Sequence, residues 1–178
     1  MNYKCISEEA IIAISNNCKK LKRLELADCT ILSTSIDGEP LSSPSVLNEL
    51  SKLQYLEHLN LRDTENIDDN TIIAIANNCK NLKSLDIQGI SDTSETALVA
   101  LTKLKNLESL TVGFRDISDS YIIRLKGLKV FDCDGCEKLT DVGIIQFIKN
   151  NPDLEKINAD WLDDSKSIIK SQWLIVRT

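Results

Sequence analysis

Residues 10–26, AIIAISNNCKKLKRLEL, and residues 71–87, TIIAIANNCKNLKSLDI, are near copies of each other. Eleven of the 17 positions are identical, and the two segments lie 61 residues apart. Internal repetition on this scale indicates an array of stacked units. In each copy, apolar residues first follow helical spacing, and a shorter alternating pattern then predicts a strand. Each copy therefore predicts a helix that leads into a strand.

A shorter motif, apolar-x-x-apolar-x-apolar, recurs six times along the chain. It begins at Leu21, Leu56, Leu82, Leu107, Leu128 and Leu154. The steps between these positions are 35, 26, 25, 21 and 26 residues. The typical step matches the ~20–29 residue period of repeats that pair a strand with a helix or turn. The long step holds a Ser/Pro/Gly-bearing loop at residues 32–45, and the short step removes about one helical turn.

A small polar residue followed by an acid precedes each helical stretch. These predicted N-caps are Ser7, Asp68, Ser91, Ser118, Thr140 and, more loosely, Asp163. The side-chain oxygen caps unpaired N–H groups, and the acid meets the positive end of the helix dipole. Each unit is therefore a strand, a turn and a helix of two to three turns.

Neither the strand nor the helix of such a unit can bury its apolar face alone, so the units must stack. The predicted fold is α/β, a curved solenoid with a parallel β-sheet on its concave face and helices on its convex face. We expect one domain over residues 1–178, which starts with a helical half-repeat at 1–17 that has no strand ahead of it. Full repeats start near residues 18, 53, 79, 104, 127 and 151. The apolar tail at 163–178 is expected to cap the last repeat, so deletion from Trp173 onward should destabilise the solenoid or make it associate.

Residues 78–87, NCKNLKSLDI, resemble the cysteine-containing subclass of leucine-rich repeats. Residues 24–29, LELADC, and residues 133–141, CDGCEKLTD, carry the cysteine that follows the strand in that subclass, and Asn151 fills the slot of Cys79. The subclass is best known from F-box/leucine-rich-repeat proteins, the substrate receptors of cullin-type ubiquitin ligases, and from related mitotic-exit antagonists. No segment of this chain resembles an F-box.

The resemblance implies a protein–protein interaction module that recognises a substrate or partner in an F-box/LRR-like ubiquitin-ligase pathway. A free-standing inhibitor or scaffold with no ubiquitin role is the alternative. An enzyme that uses one of the cysteines is a third hypothesis. We do not expect an enzyme, because all His-based catalysis would depend on the single histidine, His58.

The charge and hydropathy of the chain argue against several classes of function. Twenty-one Lys+Arg against 27 Asp+Glu give a net charge of −6, and a net acidic chain repels phosphate backbones, so nucleic acid is not an expected partner. The N-terminus does not resemble a signal peptide, and no apolar run approaches the length of a membrane span. We expect a monomer in the cytoplasm or nucleus, with no membrane association and no cofactor.

The six cysteines raise the question of metal or disulfide chemistry. They are Cys5, Cys18, Cys29, Cys79, Cys133 and Cys136. Their phase within the repeat predicts buried thiols that act as small hydrophobic residues. The CxxC at 133–136 lacks the second pair that a zinc site needs. Acidic strings at 63–69 and 160–164 are explained by helix capping, so no metal site is expected.

Side chains alternate along a strand, so the residues between the apolar ones point to solvent on the concave face. The predicted partner-binding residues are Arg23, Glu25, His58, Asn60, Arg62, Asp86, Gln88, Thr111, Phe114, Asp132, Asp134, Lys156, Asn158, Asp160 and Trp161. A merely solvated polar sheet face is the other interpretation of the same residues.

The charges on this face suggest the kind of partner. Acidic residues gather toward the C-terminal end at Asp132, Asp134 and Asp160, which favours a partner with a basic surface. Arg23, His58 and Arg62 would engage a different part of that partner, and Phe114 and Trp161 would be apolar anchors. Changing Asp132 and Asp134 to Lys should then abolish partner capture without lowering the melting temperature.

Overall fold

The computed structural model describes residues 4–32, 45–90, 93–113 and 117–159, which contain eight short strands, five α-helices and two 3-10 helices. The strands are β1 (Lys4–Ser7), β2 (Arg23–Glu25), β3 (Cys29–Leu32), β4 (His58–Asn60), β5 (Ser84–Asp86), β6 (Ser109–Thr111), β7 (Val130–Asp132) and β8 (Lys156–Asn158). The α-helices are α1 (Glu8–Asn17), α2 (Asp69–Asn78), α3 (Glu95–Ala100), α4 (Asp119–Ile122) and α5 (Asp141–Asn150). Two 3-10 helices span Val46–Lys52 and Leu101–Lys103.

Six of the strands form one parallel sheet in the order β2-β4-β5-β6-β7-β8. Parallel neighbours need a crossover connection, and the connections from β4 to β8 carry α2, α3, α4 and α5 in turn. The α/β prediction with parallel strands alternating with helices is confirmed. The second unit carries a 3-10 helix where an α-helix was expected, and α4 is reduced to four residues in the shortened unit.

The first helix does have a strand ahead of it, contrary to the expectation for residues 1–17. β1 pairs in parallel with β3, and the register places Ile6 opposite Ile31. Both isoleucines pack against the hydrophobic core, which explains why this segment is extended. The pair forms a separate two-stranded sheet and does not join the larger one.

Four of the five α-helices begin with the expected capping bond. The side chains of Ser7, Asp68, Ser94 and Thr140 accept the N–H of the residue three positions later. The prediction is wrong for α3, whose N-cap is Ser94 and not Ser91. The hydroxyl of Ser118 makes no capping bond to its own helix and bonds Glu95 instead.

Hydrogen bonds between successive helix N-termini hold the units side by side. The acid that opens one helix accepts from the N-cap of the next: Asp69 from the N–H and Oγ of Ser94 (2.7 Å each), Glu95 from Ser118 Oγ (2.9 Å), and Asp119 from the N–H (2.9 Å) and Oγ1 (2.6 Å) of Thr140. Charge-assisted bonds of this kind are about twice as strong as neutral ones. The acids predicted to complement helix dipoles therefore also join neighbouring units.

The core lies between the sheet and the helices and is built from equivalent positions of successive units. Phe131 of β7 packs on Phe147 of α5, with ring centroids 4.7 Å apart. Asn151 is buried at the C-terminal end of α5, where its amide donates to the carbonyls of Leu125 (3.0 Å) and Phe147 (2.9 Å). Its Oδ1 accepts the N–H of Leu128 at 3.0 Å. Asn151 and Cys79 occupy the same C-cap slot, as the sequence predicted.

Four of the six cysteines are buried, and the prediction that all are core residues is wrong for the other two. Cys29, Cys79, Cys133 and Cys136 are buried, whereas Cys5 and Cys18 are exposed. Burial raises the pKa of the Cys79 thiol to about 11, against a smaller opposing effect of Lys80. The position of a residue within the repeat predicts its burial only where a neighbouring unit covers that position. Cys18 belongs to the first unit and is exposed.

Candidate functional site

The predicted rows of outward-facing residues coincide with the register of the six-stranded sheet. The first row is Arg23, His58, Ser84, Ser109, Val130 and Lys156, and the second row is Glu25, Asn60, Asp86, Thr111, Asp132 and Asn158. We call these two rows, together with Arg62, Gln88 and Asp134 just past the strands, the polar sheet face. The middle residue of each inner strand is buried: Leu59, Leu85, Leu110 and Phe131. Alternation therefore separates a core side from a polar side, on which every side chain is half-buried or exposed.

Second-row side chains hold the turns that follow their strands. The N–H of the residue two positions later donates to the side-chain oxygen: Arg62 to Asn60 (3.0 Å), Gln88 to Asp86 (3.0 Å) and Asp134 to Asp132 (3.2 Å). This is the local bond that Asn and Asp characteristically make in turns. The second row thus positions Arg62, Gln88 and Asp134 for contact with solvent or a partner.

Asp132 uses both of its carboxylate oxygens within the chain. Oδ1 accepts the N–H of Asp134, and Oδ2 accepts the amide of Asn158 at 3.2 Å. A lysine at position 132 would lose both bonds, so the expectation that this change leaves the melting temperature unaltered is revised. Asp134 is half-exposed and is the better position for probing a partner.

The two acidic side chains of the second row between its ends are Asp86 on β5 and Asp132 on β7. Partial burial raises the pKa of Asp86, and the nearby charges of Asp132 and Asp63 raise it further. The hydrogen bond from Gln88 and the charge of Arg62 act in the opposite direction but do not cancel the shift. Asp86 and Asp132 thus repel each other weakly, and the charge of Arg62 offsets this effect on Asp86.

Two arginines, Arg23 and Arg62, lie toward the β2 end of the polar sheet face, and Lys156 lies at the opposite end on β8. Arg23 Nη1 lies 3.1 Å from Glu25 Oε1, and Arg62 Nε lies 3.3 Å from Asp63 Oδ2, both in exposed pairs. His58 is half-buried on β4, opposite Arg23 in the strand register. Three strand spacings, about 14 Å, separate β4 from β7 and its Asp132. One partner surface would have to span this distance to meet both charges.

A row of alternating charges directly precedes the strands, and the sequence analysis missed it. We call Lys22, Glu57, Lys83, Glu108, Lys129 and Glu155 the charge ladder. Glu57 lies 2.7 Å from the Nζ atoms of both Lys22 and Lys83, and Glu108 lies 3.1 Å from that of Lys129. Hydrogen bonds from Lys22 and Lys83 lower the pKa of Glu57 to about 2. The charge ladder could have been recognised from the sequence, since each of its residues stands one place before a predicted strand.

A polar depression of about 330 Å³ opens at the carboxyl ends of β4 and β5. Residues 63–67 line one side, and Gly89 and Ile90 line the other. Gly89 has a φ of +76°, which favours glycine, and a Cβ there would lie 1.8 Å from Asp63 Oδ1, so a larger residue would have to displace the Asp63 side chain. The depression adjoins Arg62 and widens the surface open to a partner.

Three predicted binding residues, Phe114, Asp160 and Trp161, lie outside the described residues, as does the expected cap at 163–178. Within the described ranges, no group of three His, Cys, Asp or Glu side chains could hold a metal ion. In the same part of the chain, no helix is both long and apolar enough to cross a bilayer.

Comparison with known proteins adds no identification: no protein-family model matches the chain, and no curated protein sequence is significantly similar to it.

Proposed function

We propose that this chain is a leucine-rich-repeat solenoid of the cysteine-containing subclass that binds another protein through the polar sheet face. The observation that carries the proposal is the in-register array of solvent-facing side chains across six parallel strands. Turns braced by the second row hold Arg62, Gln88 and Asp134 in fixed positions, and such preorganisation lowers the entropy cost of binding. Stacked repeats use extended concave faces of this kind for recognition.

The charge distribution supports a partner with a basic surface. Asp134 lies on the polar sheet face close to Asp132, and these carboxylates would attract a Lys or Arg of the partner. Arg62 and His58 would then contact a second, more acidic part of the partner.

The cellular role that we propose is substrate or partner recognition in an F-box/LRR-like ubiquitin-ligase pathway, without catalysis by this chain, in the cytoplasm or nucleus. It is supported by the cysteine column, in which Cys79 and Asn151 occupy the same C-cap slot. The alternative is a free-standing inhibitor or scaffold. Co-precipitation of a cullin adaptor with the full-length protein distinguishes the two, since only the ligase role requires the adaptor.

Affinity capture from the protein's own cell extract tests the binding face. Asp134→Lys should remove the specific partner, and the matched control Glu137→Lys should retain it. Glu137 is exposed in the same unit but lies outside the polar sheet face, and its substitution changes the charge equally. Loss of the partner at high salt is expected for recognition led by exposed charges. Equal capture by both variants would contradict the proposal.

A further inference from the structure

The unit that contains α4 is shortened, and a cavity lies where this unit meets the preceding one. Helix α4 has four residues, whereas α2 and α5 have ten each. The cavity has a volume of about 60 Å³ and opens between the turn that leads to β6 and the turn that leads to β7. Its walls include five leucines that are each at most 3% exposed: Leu101, Leu104, Leu107, Leu125 and Leu128. The cavity therefore brings the apolar core of two units close to the surface.

A missing side chain accompanies this cavity. In two earlier units an asparagine just before the motif leucine joins its turn to the preceding turn: Asn81 donates to the carbonyl of Gln54 (2.8 Å), and Asn106 donates to that of Lys80 (2.9 Å). The aligned residue of the shortened unit is Gly127, which has no side chain to make this bond. A Cβ on Gly127 would have no other atom within 4 Å. The junction with the preceding unit is therefore left open beside the cavity.

The following unit holds one wall of the cavity in place. The N–H of Leu107 donates to the carbonyl of Leu104 within its own turn, at 3.3 Å. In the shortened unit Asn151 takes over this role, because its Oδ1 accepts the N–H of Leu128 and its amide donates to the carbonyl of Leu125, both at 3.0 Å. The wall is thus fixed by a buried side chain, and a preformed cavity lowers the entropy cost of binding.

Positive charge is concentrated around the opening, although the whole chain has a net charge of −6. Residues 101–107 and 122–128 contain no acid, and their basic residues are Lys103, Lys105, Arg124 and Lys126. Lys105, Arg124 and Lys126 are exposed and line the cavity. Among the described residues, none of these three forms an ion pair, whereas Glu108 contacts Lys129 of the charge ladder. We call the cavity and these three cations the basic cleft.

The size and walls of the cavity define the group that it can take. An apolar cavity of ~150 Å³ holds one benzene molecule, so a volume of about 60 Å³ is too small for an aromatic ring. It has room for the end of one aliphatic side chain. Leucine walls gain nothing from a phosphate or a sugar, so the combination of anion and aliphatic group favours a peptide.

We propose that the basic cleft binds an acidic segment of a partner protein, which inserts one leucine into the cavity and places carboxylates beside Lys105, Arg124 and Lys126. Burial of the leucine end would supply affinity, and the charges would supply attraction and orientation. The cleft lies ahead of the strands, whereas Arg62, Gln88 and Asp134 of the polar sheet face follow them. Either proposal can therefore fail without the other.

An NMR titration of the full chain with the synthetic peptide GEELEEG measures both the affinity and the location of binding. The amide signals of residues 101–107 and 122–128 should shift, and those of the polar sheet face should not. Replacing the leucine of the peptide by serine should raise the Kd at least about tenfold, the effect of leaving one leucine end unburied. Replacing its glutamates by glutamine should also weaken binding, and so should added salt.

A pair of charge variants tests whether the attraction is local. Lys126→Glu should raise the Kd of the peptide about fivefold or more, because one exposed ion pair is lost and a repulsion is added. The matched control is Lys20→Glu, which changes the charge equally. Lys20 is exposed and precedes β2, three strands away from β6, so its substitution should alter the Kd less than about twofold.

Three results would overturn the proposal. Equal affinity for the leucine and serine peptides would show that the cavity is not used and that the cations attract any polyanion. An equal loss of affinity in Lys126→Glu and Lys20→Glu would show that the attraction is not centred on the cleft. Absence of shifts at residues 101–107 and 122–128 at millimolar peptide would show that the cleft does not bind such a segment.

Discussion

Asp119 and Gly143 illustrate how a single residue is fixed by a contact between units. The carboxylate of Asp119, at the start of α4, accepts both donors of Thr140, the N-cap of α5. A Cβ on residue 143 would lie 2.0 Å from Asp119 Oδ1 and 2.7 Å from Asp119 Cβ. Because the whole Asp119 side chain occupies this space, glycine in the first turn of α5 is required by packing, although it is a poor helix former.

We expect Gly143→Ala to lower the free energy of unfolding by about 1–3 kcal/mol, as other overpacked positions do. The loss would outweigh the gain in helix propensity of about 1 kcal/mol. Urea denaturation of the wild type and the variant measures the difference. In an Asp119→Gly background the whole side chain that clashes is absent, so the same substitution should become neutral or stabilising relative to that background. An unchanged stability of the single variant would show that Asp119 can move aside.

Individual residues also show where inference from the sequence stopped. The buried and outward positions of the strands were predicted, because alternation along a strand depends only on local geometry. The exposure of Cys18 was not predicted. Burial at this position requires cover from a neighbouring unit, and the position of a residue within the repeat does not show whether that cover is present. The hydrogen bonds that Asp86 and Asp132 accept within their turns were not predicted. An outward-facing carboxylate can either stabilise a turn or contact a partner, and its position on the strand does not distinguish the two roles.

At the scale of the element, the charge ladder joins strands through the residues just before them. Glu57 bridges β2, β4 and β5 by contacting Lys22 and Lys83, and the contact with Glu57 in turn raises the pKa of Lys83. These pairs are largely exposed, so each contributes little on its own. The alternation of lysine and glutamate still disfavours the pairing of a strand with a wrong neighbour, because two lysines or two glutamates would then lie side by side.

We expect the stability advantage of the wild type over Glu57→Gln to depend on pH. The two lysines lower the pKa of Glu57 in the folded state from its ordinary value of 4.5 to about 2. The advantage should be complete above pH 4.5, decline as the pH falls toward 2, and be lost below that value. Melting temperatures across this range measure it, with Glu137→Gln as the control for loss of an exposed carboxylate. A difference that does not change with pH would exclude an electrostatic origin.

At the scale of the whole molecule, contacts run mainly between adjacent units. Hydrogen bonds between helix N-termini, ion pairs of the charge ladder and the pairing of the strands all join neighbouring units. Because each unit contacts mainly its neighbours, local stability can differ from one unit to the next. The order of the units could be predicted from the repeat period. The extra strand β1 could not, because its partner β3 lies in a turn region that the repeat pattern does not describe.

We expect hydrogen exchange to be faster in α1 than in α2. The two helices are near copies, so their unprotected amides exchange at similar rates, and only the surroundings differ. The cover over Cys79, Leu82 and Leu85 is missing over Cys18, Leu21 and Leu24, so local opening of the first unit exposes less additional apolar surface. Protection factors should differ by about tenfold or more. Equal protection in both helices would mean that the first unit is held by contacts other than those described.

The charge ladder also limits how such an array can change in length. Removing one inner unit would bring two glutamates or two lysines together across the new strand pair, whereas removing or adding two adjacent units would preserve the alternation. The near-identical segments at 10–26 and 71–87 lead into β2 and β5, which stand two strands apart in the sheet and are both preceded by lysine. Duplication of a two-unit block satisfies this parity, so the block that evolution can copy without electrostatic conflict is twice the length of the structural repeat.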